Sequence, residues 1–230
     1  MTILSKLSSQ VGSRGQEANA GVARLCLAHP DHLVEVAAHL VDPNAKVAGD
    51  CAEVLAMTAA QRPDLVAAYA PALLALLDRR NGRVRWEAAH ALALVTPHAP
   101  DVVGMSLEAL GRITQQDERV IVRDYVLDAI AAYGATGGRA AEAALPWLRA
   151  GLSSWGGRHA ARVLRGLAEV VAAAPSLAPD VTGLAEPLRD HTRPVIRKAA
   201  RHLLATTSGP GGPTEPARAG QGAAPRLARR

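Results

Sequence analysis

Phenylalanine is absent from this 230-residue chain, and tyrosine and tryptophan occur three times each. Runs of β-branched and aromatic residues, which favour sheets, are therefore scarce, and no segment reads as a strand. Cysteine occurs twice, as Cys26 and Cys51, with no CxxC spacing, so neither a zinc cage nor a redox pair is suggested and both thiols are expected to be buried and free. Long apolar runs are missing too. The greasiest stretch, "LVAAYAPALLALL", is too short to span a bilayer, and the opening "MTILSKLSSQVGSRGQ" lacks the apolar core of a secretory signal. These absences lead us to expect a cytoplasmic protein without a membrane partner. Charge of one sign is lacking over most of the chain as well. Of the net +5, the tail from 208 to 230 carries +3, leaving a nearly neutral body.

What is present is alanine, leucine and valine, which dominate an apolar fraction of 49%. Alanine and leucine lose little on entering a helix, so the chain reads as all-α, built from thin elements that pack closely. One helix recurs. Val84-Arg85 returns as Val122-Arg123 and as Ile196-Arg197, at multiples of about 37 residues, and "VAGDCAEVL" and "HAARVLRGL" occupy the intervening registers. Each copy keeps one apolar face at i, i+4, i+8: Val47, Cys51 and Leu55; Val84, Ala88 and Leu92; Val122, Val126 and Ile130; Val163 with Leu167; Ile196, Ala200 and Leu204.

A second series alternates with the first. "HPDHLVEV", "RPDLVAAY", "APDVVGMS" and "APDVTGLA" place Pro-Asp at 30, 63, 100 and 179 ahead of another apolar helix. Proline in a first turn loses no hydrogen bond, and the aspartate suits the positive end of the helix dipole. Asp42, Asp78 and Asp190 close these second helices, where they can cap or turn into the next one.

Two helices per unit of about 37 residues, joined by an Asp-containing turn and Val-Arg, resemble the HEAT-repeat family, in particular its short bacterial PBS-lyase-type, armadillo-like form. "LLDRRNGRVRWEAAHAL" matches best, followed by "RITQQDERVIVRDYVLDAI" and "PLRDHTRPVIRKAARHLL". Ala48 and Ala160 depart from the pattern where its arginine stands. The resemblance implies an α-solenoid of about five helix pairs over 14–207, in which each pair is covered by its neighbours. Residues 1–13 are expected to be a flexible segment, and 208–230, rich in Gly, Pro, Ala and Arg, a disordered tail.

The same resemblance implies that the alanine-rich helices line a concave face on which equivalent positions form columns. One runs Gly49, Trp86, Asp124, Ala161, Lys198; another Asp50, Glu87, Tyr125, Arg162, Ala199; a third Glu53, His90, Asp128, Arg165, His202. With Arg158 beside them, these columns predict a polarised groove, acidic in the early units and basic in the later ones, with Trp86 and Tyr125 as exposed anchors. Arg85 is assigned to the repeat itself. Such a groove fits a segment of a protein partner, because opposite charges orient it and aromatic anchors hold it.

The expected function is that of a noncatalytic scaffold, with no cofactor and a monomeric state. Two alternatives involve nucleic acid. Arg158, Arg162 and Arg165 form a basic stripe able to follow phosphates. The DNA-alkylation-repair glycosylases are also helical-repeat arrays, and Trp86, Tyr125, Trp155 and Asp124 would be the residues to play their part here. Metal and nucleophile motifs are absent: the eight histidines form no HExxH, Ser106 lacks the glycine of a nucleophile elbow, and no phosphate loop appears.

Overall fold

The computed structural model describes residues 2–208; the expected tail over 208–230 lies, apart from Ser208, outside the described residues. Among the described residues there are helices and no strand. Six helices form an inner ladder, each packed on the next: α1 (Glu17–Ala28), α3 (Ala45–Ala59), α6 (Gly82–Val95), α9 (Val120–Gly134), α11 (Ala160–Ala173) and α13 (Pro194–Thr207). Between them run the outer elements α2 (His32–Ala38), α4 (Pro63–Val66) with α5 (Ala70–Ala75), α7 (Pro100–Gly104) with α8 (Leu107–Gln116), α10 (Gly138–Gly157) and α12 (Ala178–Ala185). The molecule is an all-α solenoid.

The apolar periodicity becomes its core. Val47, Cys51, Leu55, Val84, Ala88, Leu92, Val122, Val126, Ile130, Val163, Leu167, Ile196 and Ala200 are all buried, and only Leu204, in the terminal helix, is partly open. Burial pushes the Cys26 thiol up to about 11 and the Cys51 thiol to about 12, so both stay protonated and act as small apolar side chains. Small residues let the ladder close tightly. A methyl group at Gly166 of α11 would stand 2.5 Å from Ala131 Cβ of α9.

The outer layer follows its proline signals. Pro63, Pro100 and Pro179 sit in the first turn of α4, α7 and α12. Pro71 restarts the chain as α5 after a 3-10 turn at Ala67–Tyr69, whereas α10 runs through Pro146. Asp42 makes the expected turn into the next helix, while the caps come from other residues. Asp42 and Asp117 accept the backbone N–H two residues on, making turns, but the caps of α3 and α6 are Asn44, which accepts from Lys46 N, and Asn81, which accepts from Arg83 N and Val84 N. An asparagine directly before the helix has the reach that an aspartate two or three residues earlier lacks.

The Val-Arg pair has a mechanical meaning. Arg85 donates to the carbonyl of Arg79, Arg123 to that of Asp117 and Arg197 to that of His191, in each case six residues back, in the turn that enters the helix. Where Ala48 replaces the arginine, the corresponding carbonyl, Asp42 O, receives Arg79 Nη2 from the following unit at 3.2 Å. Where Ala160 replaces it, the incoming turn takes another shape: Ser154 leaves the helix, and Trp155 (φ 54) and Gly156 (φ 64) are left-handed.

The N-terminal segment is not loose. Ile3–Lys6 forms a 3-10 turn packed on α1 and α2, Leu7 is fully buried, and Ser8 and Ser9 are tied to inner helices. Ile3 and Leu7 lie four apart and cover the first apolar flank of the ladder, which would otherwise face water.

Candidate functional site

The inner-ladder face carries two depressions. The first, of ≈ 590 Å³, lies between residues 8–16, α3 and α6. The second, of ≈ 390 Å³, crosses α6, α9 and α11 and is lined by His90, Tyr125, Asp128, Arg162, Arg165 and Glu169.

In the first depression Asp50, Glu53 and Glu87 are 1%, 3% and 2% exposed, so the expectation of a solvated acidic column is corrected. Alanine-rich helices approach so closely that neighbouring side chains cover positions a lone helix would leave open. Asp50 accepts from Ser9 N at 2.7 Å, Asn19 Nδ2 at 3.0 Å and Arg83 Nη2 at 2.8 Å. Glu53 accepts on Oε2 from Asn19 Nδ2 at 2.6 Å and Arg83 Nη2 at 2.9 Å. Burial raises the pKa of Asp50, but its hydrogen bonds from Ser9, Asn19 and Arg83 outweigh that and hold it below the usual carboxylate range. Glu87 has no such partner. Its Oε1 is buried without a hydrogen bond, and burial, reinforced by the nearby Glu53 carboxylate, pushes its carboxyl up to about 8.

Tyr125 and His90 line the second depression and form a stack with Trp86, which lines the first. Tyr125 lies between Trp86, with ring centres 6.4 Å apart, and His90, 4.3 Å apart, both nearly parallel. The three rings are half-buried, so Trp86 and Tyr125 are a floor and not the projecting anchors expected from their columns. Burial and the nearby Arg162 guanidinium hold the His90 imidazole below its ordinary pKa, so at neutral pH it is an uncharged stacking surface.

The later cations are only partly available. Arg162 pairs with Asp124 at 3.3 Å and with Asp128, and its guanidinium sits 5.7 Å from the Tyr125 ring centre. The acidic and basic columns thus neutralise one another across α9 and α11 instead of standing at opposite ends of a groove. Burial dominates at Asp128 and raises its pKa despite that arginine. Arg158, Arg165 and Lys198 are exposed.

One network went unread in the sequence. Arg123, 1% exposed, donates from Nε to His159 Nε2 at 3.0 Å, which leaves the ring proton on Nδ1 to be donated to Asp124 Oδ1 at 2.7 Å. Its guanidinium carbon lies 3.7 Å from the Trp155 ring centre, and Trp155 Nε1 donates to Thr114 O. The available signal was His159, which stands in the register of Val84 and Val122, where an apolar residue is normal.

Among the described residues no group of three His, Cys, Asp or Glu could hold a metal ion, and no helix is long and apolar enough to cross a membrane. This architecture defines a helical-repeat solenoid. No protein family matches the chain, and no curated protein does. Solved structures do, among them engineered and designed proteins of similar fold. An engineered protein superposes with a TM-score of 0.64 at 19% identity, over 90% of this chain and 97% of that one. Another has a TM-score of 0.64 at 17% identity over 89% of this chain, which spans only 57% of its length. Computationally designed armadillo repeat proteins for modular peptide recognition match with a TM-score of 0.62 at 17% identity, over 89% and 98% of the two chains.

Proposed function

We propose that this protein is a noncatalytic scaffold that binds a segment of a protein partner along the inner-ladder face, and that it is a short HEAT-like repeat protein acting as a cytoplasmic monomer. The observation that carries this reading is the depression crossing α6, α9 and α11, where the stacked rings of Tyr125 and His90 meet the exposed Arg165. A trench running over three parallel helices suits an extended chain, each helix offering a site at repeat spacing. The similar fold of proteins designed for modular peptide recognition supports the same reading. Support for the noncatalytic part comes from Asp124, the acid a base-excising enzyme would need, which already accepts from His159 and pairs with Arg162. The basic stripe proposed for nucleic acid is broken in the same way, since Arg162 is engaged by two aspartates.

The test compares the intact chain with Arg158→Glu/Arg165→Glu, two exposed positions, in affinity capture with and without nuclease. A discrete protein that copurifies with the parent and is lost from the variant is expected. Equal recovery from both chains overturns the trench, and nuclease-sensitive material replaces the protein partner with nucleic acid. Release of a damaged base from alkylated DNA, abolished by Asp124→Asn, would overturn the noncatalytic assignment.

A further inference from the structure

We propose that the depression between residues 8–16, α3 and α6 is a receptor for the ammonium group of a lysine side chain carried by a peptide. It depends on the peptide-binding reading only for the source of the lysine. Two carboxylates share one guanidinium there, and a third carboxyl group stands beside them. Asp50 and Glu53 share Arg83 and Asn19, while Glu87, equally buried and lining the same space, has an oxygen with no hydrogen-bond partner. A buried acceptor left unpaired is costly, and a donor delivered from outside would remove that cost.

The chemistry of the missing donor can be read from what is left over. The hydrogen bonds to Glu53 fall on Oε2, and none among the described residues reaches Glu87, whose Oε1 is buried, so the acceptors still open are Glu53 Oε1 and the Glu87 carboxyl, on two different side chains. A planar guanidinium is matched to one carboxylate, whereas the compact ammonium, with three donors around one nitrogen, can donate to both side chains at once. Trp86 lines the same depression and offers a half-buried ring against which an alkyl stem can lie. Arg14 and Lys46 also line it, but both are exposed at the rim, where water and salt screen them, while Asp50, Glu53 and Glu87 form a floor shielded from solvent.

An arriving ammonium stabilises the Glu87 carboxylate, so binding releases the proton that Glu87 holds at neutral pH. The titratable and charged groups around Glu87 are Glu53 and Asp50 from α3, Arg83 one turn back on α6 and Tyr125 from α9.

The probes are a blocked pentapeptide Gly-Gly-Lys-Gly-Gly, its norleucine counterpart and n-butylammonium chloride, titrated into the full chain and followed by amide chemical shifts. The lysine peptide is expected to shift amides of residues 8–16 and 83–87, with an affinity that rises between pH 6.5 and 8 and with release of about one proton at pH 7. Norleucine should leave those amides unmoved. Glu87→Gln, which keeps the shape and the neutral state of the folded side chain, should weaken the lysine peptide by roughly tenfold or more. Its amide spectrum and melting point establish that it is folded. Unchanged affinity in Glu87→Gln, or equal shifts from norleucine, overturns the site. Butylammonium binding as tightly as the lysine peptide overturns the peptide as its source. None of these outcomes depends on Arg158 or Arg165, so failure here and failure of the trench are separable.

Discussion

The guanidinium carbon of Arg123 sits over the ring of Trp155, 3.7 Å from its centre, and Trp155 holds that place with a left-handed backbone of φ 54. A tryptophan in this region costs roughly 1–2 kcal/mol relative to a right-handed residue. That strain is offset by cation–π attraction and by the Trp155 Nε1 hydrogen bond to Thr114 O. Two substitutions separate strain from contact. Trp155→Ala loses the contacts and keeps the strain, whereas Trp155→Gly loses the contacts and the strain together. In urea denaturation both should be less stable than the parent, and the glycine variant should be the more stable of the two by about 1 kcal/mol. The reverse order would mean that Trp155 is not strained.

Glu87 predicts a pH dependence. Its folded pKa of about 8 lies above the ordinary glutamate value of 4.5, so between those values the folded state holds a proton that the unfolded state has released. Its contribution to stability is complete below about 4.5 and is lost as pH rises through about 8. The slope approaches about 1.4 kcal/mol per pH unit for one such group. Melting curves from pH 5 to 9 should therefore show the parent losing stability relative to Glu87→Gln, which carries no proton to lose. Parallel curves for the two chains would mean that Glu87 is ionised in the folded protein.

How much of this was legible beforehand depends on distance along the chain. Period, helix count and core face were readable because Val84, Val122 and Ile196 recur at fixed intervals and each apolar face is local to one helix. Side-chain pairings were not, because they join different units: Asp50 meets Arg83, Arg123 meets His159, and Asp128 meets Arg162, each more than 30 residues apart. Column arithmetic placed these groups on the correct face but treated each helix as if it stood alone. It therefore took Asp50, Glu53 and Glu87 to be solvated, when the neighbouring ladder helix and residues 8–16 cover them. The N-terminal segment escaped for a related reason. Two apolar residues, Ile3 and Leu7, are too short a pattern to read until the flank they cover is known.

Close packing makes opposite predictions for two glycines. A methyl group on Gly111 of α8 would fall 2.1 Å from Trp147 Cε3 of α10, and the indole would have to move. On Gly183 of α12 it would meet nothing within 4 Å. Gly111→Ala should destabilise by about 1–3 kcal/mol through overpacking. Gly183→Ala should stabilise by roughly 0.5–1 kcal/mol through the lower entropy of the unfolded chain and better helix propensity. Chemical denaturation of the two variants checks the signs, and a destabilised Gly183→Ala would show that this part of α12 is more crowded than described.

The Val-Arg arginines share one backbone contact but differ in surroundings, which fixes an order among their alanine variants. Arg123 is buried and serves the Asp117 carbonyl, His159 and the Trp155 ring. Arg123→Ala strands a carbonyl and an imidazole nitrogen in the interior, and a loss of about 3–5 kcal/mol is expected, in the range for breaking a buried charged network. Arg85, with a side chain 20% exposed, donates to Arg79 O and pairs with Asp117 at 3.2 Å, so Arg85→Ala should cost about 1–2 kcal/mol. Among the described residues Arg197 hydrogen-bonds to the His191 and Thr192 carbonyls, at the end of the ladder where water can replace it, and Arg197→Ala should cost less than about 1 kcal/mol. If these arginines instead served a ligand, their variants would lose binding without this gradient in stability. Urea midpoints ranked Arg197→Ala, Arg85→Ala, Arg123→Ala from most to least stable are the expected result, and three equal midpoints would sever the motif from the mechanics of the repeat.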